Sequence, residues 1–119
     1  MASDNSKKYD LEDRTFLFAQ KVIRYVDQLP NRTTNYEIGK QLVRSAGSIG
    51  ANYIEANESL SKKDFLMRIK ICRKEAKEST YWLKLSNPPK QYENIKIELM
   101  YDSGELTKIF ASIICKISV

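Results

Sequence analysis

The chain has 119 residues, 42% of them hydrophobic and 29% charged, with a net charge of +5. This length and composition indicate one folded domain with a core of its own. Because histidine is absent, Ser–His and Cys–His nucleophilic pairs, imidazole acid–base catalysis and histidine metal ligands are excluded. The sequence also has no phosphate-binding glycine loop and no apolar run of bilayer length. We therefore expect a cytoplasmic protein without enzymatic activity, cofactor, metal or membrane association.

The first two predicted helices are separated by a proline. Helix 1 covers residues 11–29, with Asp10 as its N-cap and Pro30 as its stop signal. Its core stripe, predicted from helical spacing, comprises Leu11, Ala19, Val22, Ile23, Val26 and Leu29. Helix 2 opens with the capping-box pattern of Thr34 and Glu37. Its predicted core stripe comprises Ile38, Leu42, Ala46, Ile49, Tyr53 and Ala56.

Two further helices follow in the second half of the chain. Helix 3 opens at Ser61, which forms a second capping pattern with Asp64, and ends before Pro88 and Pro89. Its predicted core stripe comprises Phe65, Ile69, Cys72, Ala76, Ser79 and Leu83. Helix 4 covers residues 92–117. Its predicted inward positions are Ile95, Leu99, Leu106, Ile109, Ile113 and Ile117.

The predicted fold is all-α, an antiparallel up-down-up-down four-helix bundle. Long helices of similar length joined by short connections place sequential neighbours antiparallel. No segment alternates apolar and polar residues over the length of a strand. We predict a single bundle domain at residues 10–119, preceded by a flexible N-terminal tail at residues 1–9.

Helices 2 and 3 each have apolar residues outside the core stripe. In helix 2, Gly47 and Gly50 lie beside the stripe, and a glycine inside a helix costs up to about 1 kcal/mol relative to alanine. Close approach of another helix would compensate for that cost. The neighbour is either a helix of the same chain or one of an adjacent subunit. The candidate oligomer-interface residues are Gly47, Gly50, Ile54, Met67, Ile71 and Trp82.

Helix 2 also has a polar face, which either is solvated or lies against two glutamates of helix 3. These side chains are either solvated or joined in a partly buried network that holds the helices in register. A buried network is costly unless every member is paired. The candidate polar network comprises Gln41, Arg44, Ser48, Asn52, Glu55, Glu75 and Glu78.

Helix 3 has the strongest charge asymmetry of the chain. Residues 61–86 contain eight basic and three acidic residues, a net +5 that equals the net charge of the whole chain. Most of the basic residues share one sector of the helix, about 100° wide. This basic ridge is either a solvated face or a surface that contacts phosphates of nucleic acid. It consists of Lys63, Lys70, Arg73, Lys74, Lys77 and Lys84.

The helix 2 sequence resembles a known family. Residues 41–56, Gln-Leu-Val-Arg-Ser-Ala-Gly-Ser-Ile-Gly-Ala-Asn-Tyr-Ile-Glu-Ala, resemble the Q-L-x-R-S-x-x-S-I-x-A-N-x-x-E signature of four-helix bundle proteins related to the 23S rRNA intervening-sequence protein. Residues 64–65 and 74–83 are similar to the helix 3 pattern of one branch. Many members have Asn-Ile-Ala-Glu-Gly at the end of helix 2, where this chain has Asn-Tyr-Ile-Glu-Ala at residues 52–56.

The resemblance implies an up-down-up-down bundle that assembles as a homopentameric ring. It extends distantly to the accessory variability proteins of diversity-generating retroelements, which bind nucleic acid and a reverse transcriptase. Two functions stay open on the sequence alone. One is an oligomeric module that binds RNA or DNA through the basic ridge. The other is a protein-interaction scaffold or accessory subunit with no intrinsic nucleic-acid binding.

Overall fold

The computed structural model of the protein describes residues 10–118, and within this range the regular structure is helical. The predicted tail at residues 1–9 and the terminal Val119 lie outside the described residues. A turn of 3-10 helix at Lys90–Tyr92 precedes the last helix. The four long helices are α1 (Leu11–Asp27), α2 (Thr33–Asn57), α3 (Lys62–Leu85) and α4 (Glu93–Ser118).

Two of the three predicted N-caps form. The side chain of Asp10 accepts a hydrogen bond from the Glu12 backbone N–H at 2.9 Å, and Ser61 accepts one from the Asp64 N–H at 3.1 Å. The prediction of a capping box at Thr34 was wrong, because the N-cap of α2 is Arg32, two residues earlier, and its side chain makes no capping bond. The Asn35 side chain instead donates to the Pro30 carbonyl at 3.0 Å and ties the start of α2 to the preceding loop.

Contacts between neighbouring helices are consistent with the up-down-up-down order. Ser45 on α2 bonds to Ser79 on α3 at 2.9 Å, and Asn52, two turns further along α2, accepts from Arg68 at 2.9 Å. Residue numbers therefore rise along α2 as they fall along α3. The same reversal relates α3 to α4, since Thr80 bonds to Ser103 while the Lys96 ammonium reaches the Lys84 carbonyl at 3.3 Å.

The predicted core stripes of α2 and α3 are largely confirmed, but that of α1 is partly wrong. Ile23 is 48% exposed, whereas Thr15, Phe18 and Tyr25 are buried beside Val22. The buried face of α1 is rotated relative to the predicted one because α1 is apolar on more than one side. Two polar residues select the face. Thr15 packs against α2, and the Tyr25 hydroxyl lies 2.6 Å from the Ser86 hydroxyl.

The Tyr25–Ser86 bond links the end of α1 to the end of α3. Both residues are buried, and burial is the main cause that raises the pKa of the Tyr25 phenol, with the Glu93 charge adding to the rise and the Ser86 bond opposing it. The phenol is therefore neutral at physiological pH and pairs with a hydroxyl rather than a charge. None of the helices within residues 10–118 combines the length and the apolar character needed to cross a membrane.

The glycines of α2 have two different environments. A Cβ built on Gly39 would lie 2.9 Å from Val26 Cγ1, and one on Gly50 would lie 3.0 Å from Thr15 Oγ1, so both positions have a close neighbour on the preceding part of the same chain. A Cβ on Gly47 would meet nothing within 4 Å. The intrachain explanation therefore applies to Gly39 and Gly50, whereas Gly47 lies exposed on the outside.

We expect opposite effects from the same substitution at two glycines of α2. Gly47→Ala should raise the free energy of unfolding by up to about 1 kcal/mol, because alanine is the better helix former and the space is open. Gly39→Ala should lower the free energy of unfolding, because the new methyl group overlaps Val26. Urea unfolding of both variants at one protein concentration tests this pair. Equal shifts of the same sign would contradict the packing described for α1 on α2.

Candidate nucleic-acid interface

The basic ridge lies on the side of α3 that faces away from the core. The buried positions of α3 include Ile69, Cys72, Ala76 and Leu83, and the ridge residues are displaced from them around the helix. Arg73 is half-buried at the edge of the ridge. The other five side chains are exposed: Lys63, Lys70, Lys74, Lys77 and Lys84.

The basic ridge is scarcely neutralised by the carboxylates of the protein itself. Among the ion pairs of residues 10–118, only Lys74 involves the ridge, with its Nζ 3.8 Å from Glu75 Oε2. The remaining two acidic residues of α3, Asp64 and Glu78, form no ion pair with the basic ridge. Glu78 pairs with Arg44 of α2, and Asp64 contributes its backbone N–H to the N-cap at the start of the helix. The outward face of α3 therefore retains its positive charge.

Part of the candidate polar network is a cluster centred on Arg44. One guanidinium nitrogen of Arg44 lies 2.9 Å from Glu78 Oε1 and 3.3 Å from Glu75 Oε1, and its Nε donates to Gln41 at 3.4 Å. Glu75 is only 5% exposed. Its Oε1 has the ion pair but no hydrogen bond of good geometry, so the charge of the buried carboxylate depends chiefly on Arg44.

Two other members of the network form a separate cluster further along α2. The Asn52 side-chain amide donates to Ser48 Oγ at 2.9 Å and accepts from Arg68 at 2.9 Å. Sequence reasoning missed Arg68 as a partner of Asn52. The available signal was its position on α3, which lies next to the core stripe and outside the basic ridge. The Glu55 carboxylate joins neither cluster, because its level on α2 faces the start of α3, far from Glu75 and Glu78.

A groove of about 480 Å³ runs between α1 and α2 on the outside of the protein. Two of the candidate interface residues, Gly47 and Ile54, line it and are exposed, while Gly50 lies at its floor against Thr15. The most exposed large apolar side chain of the groove is Phe16, at 62%. Sequence reasoning missed Phe16, although its spacing of three and seven residues from Ala19 and Ile23 is helical.

The candidate interface residues on α3 belong to a different surface. Met67 is 51% exposed, whereas Ile71 and Trp82 are half-buried, and none of the three lines the groove between α1 and α2. Trp82 packs against the core, and its indole Nε1 is buried without a hydrogen-bond partner. The six candidate interface residues are therefore divided between two separate faces.

No grouping of three or more histidine, cysteine or carboxylate side chains suited to a metal ion occurs within residues 10–118. The glutamates at positions 55, 75 and 78, which share the candidate polar network, accordingly do not converge on one point. The charged groups on this side of the bundle are instead arranged as ion pairs around Arg44 and as the open basic ridge beside them.

These features define an all-α four-helix protein with a basic outer face. Residues 7–111 match the family described as "23S rRNA-intervening sequence protein", and the chain belongs to this family. It is also similar to a solved structure from Bacteroides thetaiotaomicron VPI-5482, described as a protein of unknown function from the S23 ribosomal protein family. The two share 34% sequence identity with a TM-score of 0.73, over 87% of this chain and 96% of the other. No curated protein matches the chain.

We expect Arg44→Met to lower the free energy of unfolding by about 1–3 kcal/mol, because it leaves the buried Glu75 carboxylate without its main cation. Lys108→Met is the matched control. It removes an exposed pair with Glu105 at 4.0 Å and should change stability by less than about 0.5 kcal/mol. Adding Glu75→Met to Arg44→Met should recover most of the loss. Urea unfolding measures these changes. Equal destabilisation by Arg44→Met and Lys108→Met would show that the Arg44 cluster is not a structural requirement.

Proposed function

We propose that this protein is a non-enzymatic, cytoplasmic, self-assembling module that binds nucleic acid through the basic ridge of α3. The observation that supports it is the row of six basic side chains of which one alone, Lys74, forms an ion pair among the described residues. RNA is the first ligand to test, because the family takes its name from sequences that interrupt 23S rRNA.

The length and charge of the basic ridge suit a phosphate backbone. Lys63 and Lys84 are separated by 21 positions, which corresponds to about 31 Å along a helix. Lysine and arginine side chains that neutralise phosphates release bound counterions, so the affinity should fall steeply as salt rises. The function therefore needs no pocket and no side chain that exchanges a proton.

Self-assembly is the second part of the proposal, and the family resemblance favours a homopentamer. The apolar groove between α1 and α2, with Phe16 and Ile54 exposed, is the surface that supports it. It lies on helices that do not contain the basic ridge. Symmetric copies would repeat the ridge around the assembly and add their electrostatic fields.

The alternative function is a protein-interaction scaffold, and the same groove favours it. In this alternative the groove binds a helix of another protein, and the basic ridge is a solvated face. Capture of partners with and without nuclease separates the two functions. Partners retained after nuclease treatment favour the scaffold, whereas loss of all captured material favours nucleic-acid binding.

We expect simultaneous substitution of Lys70, Arg73, Lys74 and Lys77 by glutamate to abolish the salt-dependent binding of labelled RNA while helicity is retained. The control variant substitutes four exposed lysines off α3, at positions 40, 90, 108 and 116, by glutamate and has the same net charge. Fluorescence anisotropy at two salt concentrations measures both. Equal loss of binding in the two variants would attribute binding to net charge alone, and an unbound wild type at low salt would disprove the function.

We expect Phe16→Asp to reduce the mass of the assembly in solution. It replaces the largest exposed apolar side chain of the groove by a carboxylate and adds to the negative charge of Glu12 and Asp13, which also line it. Leu60→Asp is the matched control, since Leu60 is 99% exposed and does not line the groove. Light scattering over a concentration series gives the masses. A wild type that has the 13.8 kDa mass of one chain at high micromolar concentration would rule out self-assembly.

A further inference from the structure

The basic ridge has one aromatic side chain within it. Tyr81 lies in the same sector of α3, four residues after Lys77 and three before Lys84, so both lysines are its neighbours on the helix surface. Its side chain is 56% exposed. Leu85, four residues further on, is also exposed, so apolar surface accompanies the basic side chains at this end of the ridge.

The Tyr81 ring is held in place by the residue beside it. Its centroid lies 5.1 Å from that of Trp82, with an angle of 72° between the ring planes, which is the favourable edge-to-face arrangement. Trp82 is in turn packed against the hydrophobic core. The tyrosine ring therefore has an aromatic contact on the protein side, while more than half of its side chain is open to solvent.

We infer that Tyr81 is a base-stacking platform, and that the ligand of the basic ridge is an unpaired strand of nucleic acid. This inference rests on the proposed function. In a duplex each base is covered by its neighbours, whereas an unpaired strand can offer the face of a base to an aromatic ring. Lysines that follow a backbone, combined with an aromatic ring on which a base stacks, form the arrangement by which proteins bind single strands.

The spacing of the flanking charges agrees with this role. Lys77 and Lys84 are seven residues apart, about 10.5 Å along the helix, and Tyr81 lies between them. A base stacked on the ring therefore has an ammonium group available to the backbone on either side. Because every base has a stacking face, the site should bind strands with little sequence preference.

The experiment compares three labelled probes: a 20-nucleotide single-stranded RNA, its duplex with the complementary strand, and an abasic strand of the same length. Tyr81→Ala should weaken binding of the single strand by about tenfold, which corresponds to about 1.4 kcal/mol, because one base loses its aromatic stacking partner. It should leave binding of the duplex and the abasic strand unchanged. Tyr81→Phe keeps the ring and should bind all three probes as the wild type does.

Trp82 provides a second measurement on the unaltered protein. It is the sole tryptophan of the chain and touches the Tyr81 ring, so its fluorescence reports on that position. Saturating single-stranded RNA should change the Trp82 emission, and a saturating abasic strand should not. This comparison needs no variant and stays decisive even if Tyr81→Ala fails to fold.

Two different failures are distinguishable. If the wild type binds the abasic strand as tightly as the single-stranded RNA, or if folded Tyr81→Ala binds that RNA normally, base stacking is overturned while the basic ridge keeps its function. If the wild type binds none of the three probes at low salt, the proposed function itself is wrong and the inference falls with it.

Discussion

The ion pairs of Arg44 with Glu75 and Glu78 are the constraint on which the outer face of α3 depends. Glu75 is almost wholly buried, and a carboxylate in that position requires a cation close by. The guanidinium that meets this need comes from α2, so it holds both glutamates on the α2 side of the helix. The lysines on the outer side are thereby left almost without acidic partners, and a positive surface results from an ion-pair cluster beneath it.

Small hydroxyl pairs keep this arrangement in register. Ser45 and Ser79 bond across the contact between α2 and α3, close to the level of Arg44, and both are buried. If α2 moved by one turn along α3, these hydroxyls would lose each other and Arg44 would lose its glutamates. Each hydroxyl would keep its bond to a carbonyl of its own helix, Leu42 for Ser45 and Glu75 for Ser79. The main penalty of the shifted packing would therefore fall on the buried Glu75 carboxylate, which would lose its guanidinium partner. The contacts between α2 and α3 therefore favour one register, in which the basic ridge lies on the outer side of α3.

The sequence predicts most of α2 and α3 because their apolar residues form one clear stripe, as Leu42 and Ile69 illustrate. It does not predict α1, where several faces are apolar and two polar residues lie on the buried one. Thr15 packs against Gly50 of α2, and Tyr25 bonds to Ser86 at the end of α3. The same limit applies to the polar network. The spacing along α2 suggests that Glu55 belongs to the network. Glu55 does not join it, because the part of α3 that lies opposite Glu55 is the start of the helix, far from Glu75 and Glu78. The periodicity of one helix shows which of its residues share a face. Which of these faces is buried depends on the helix packed against it.

The distribution of surfaces makes the proposed self-assembly compatible with the proposed binding of nucleic acid. The groove at Phe16 and Ile54 lies between α1 and α2, whereas Tyr81 and the basic ridge lie on α3. The proposed contact between copies through the groove would therefore involve helices other than the one that contains the ridge. A single helix face makes few phosphate contacts, and its affinity at physiological salt is limited for that reason. Copies held together convert later contacts of the same strand into intramolecular ones, which raises the overall affinity without any new residue. A bundle with one basic face would therefore gain more affinity for nucleic acid by joining several copies than by enlarging the binding surface of one copy.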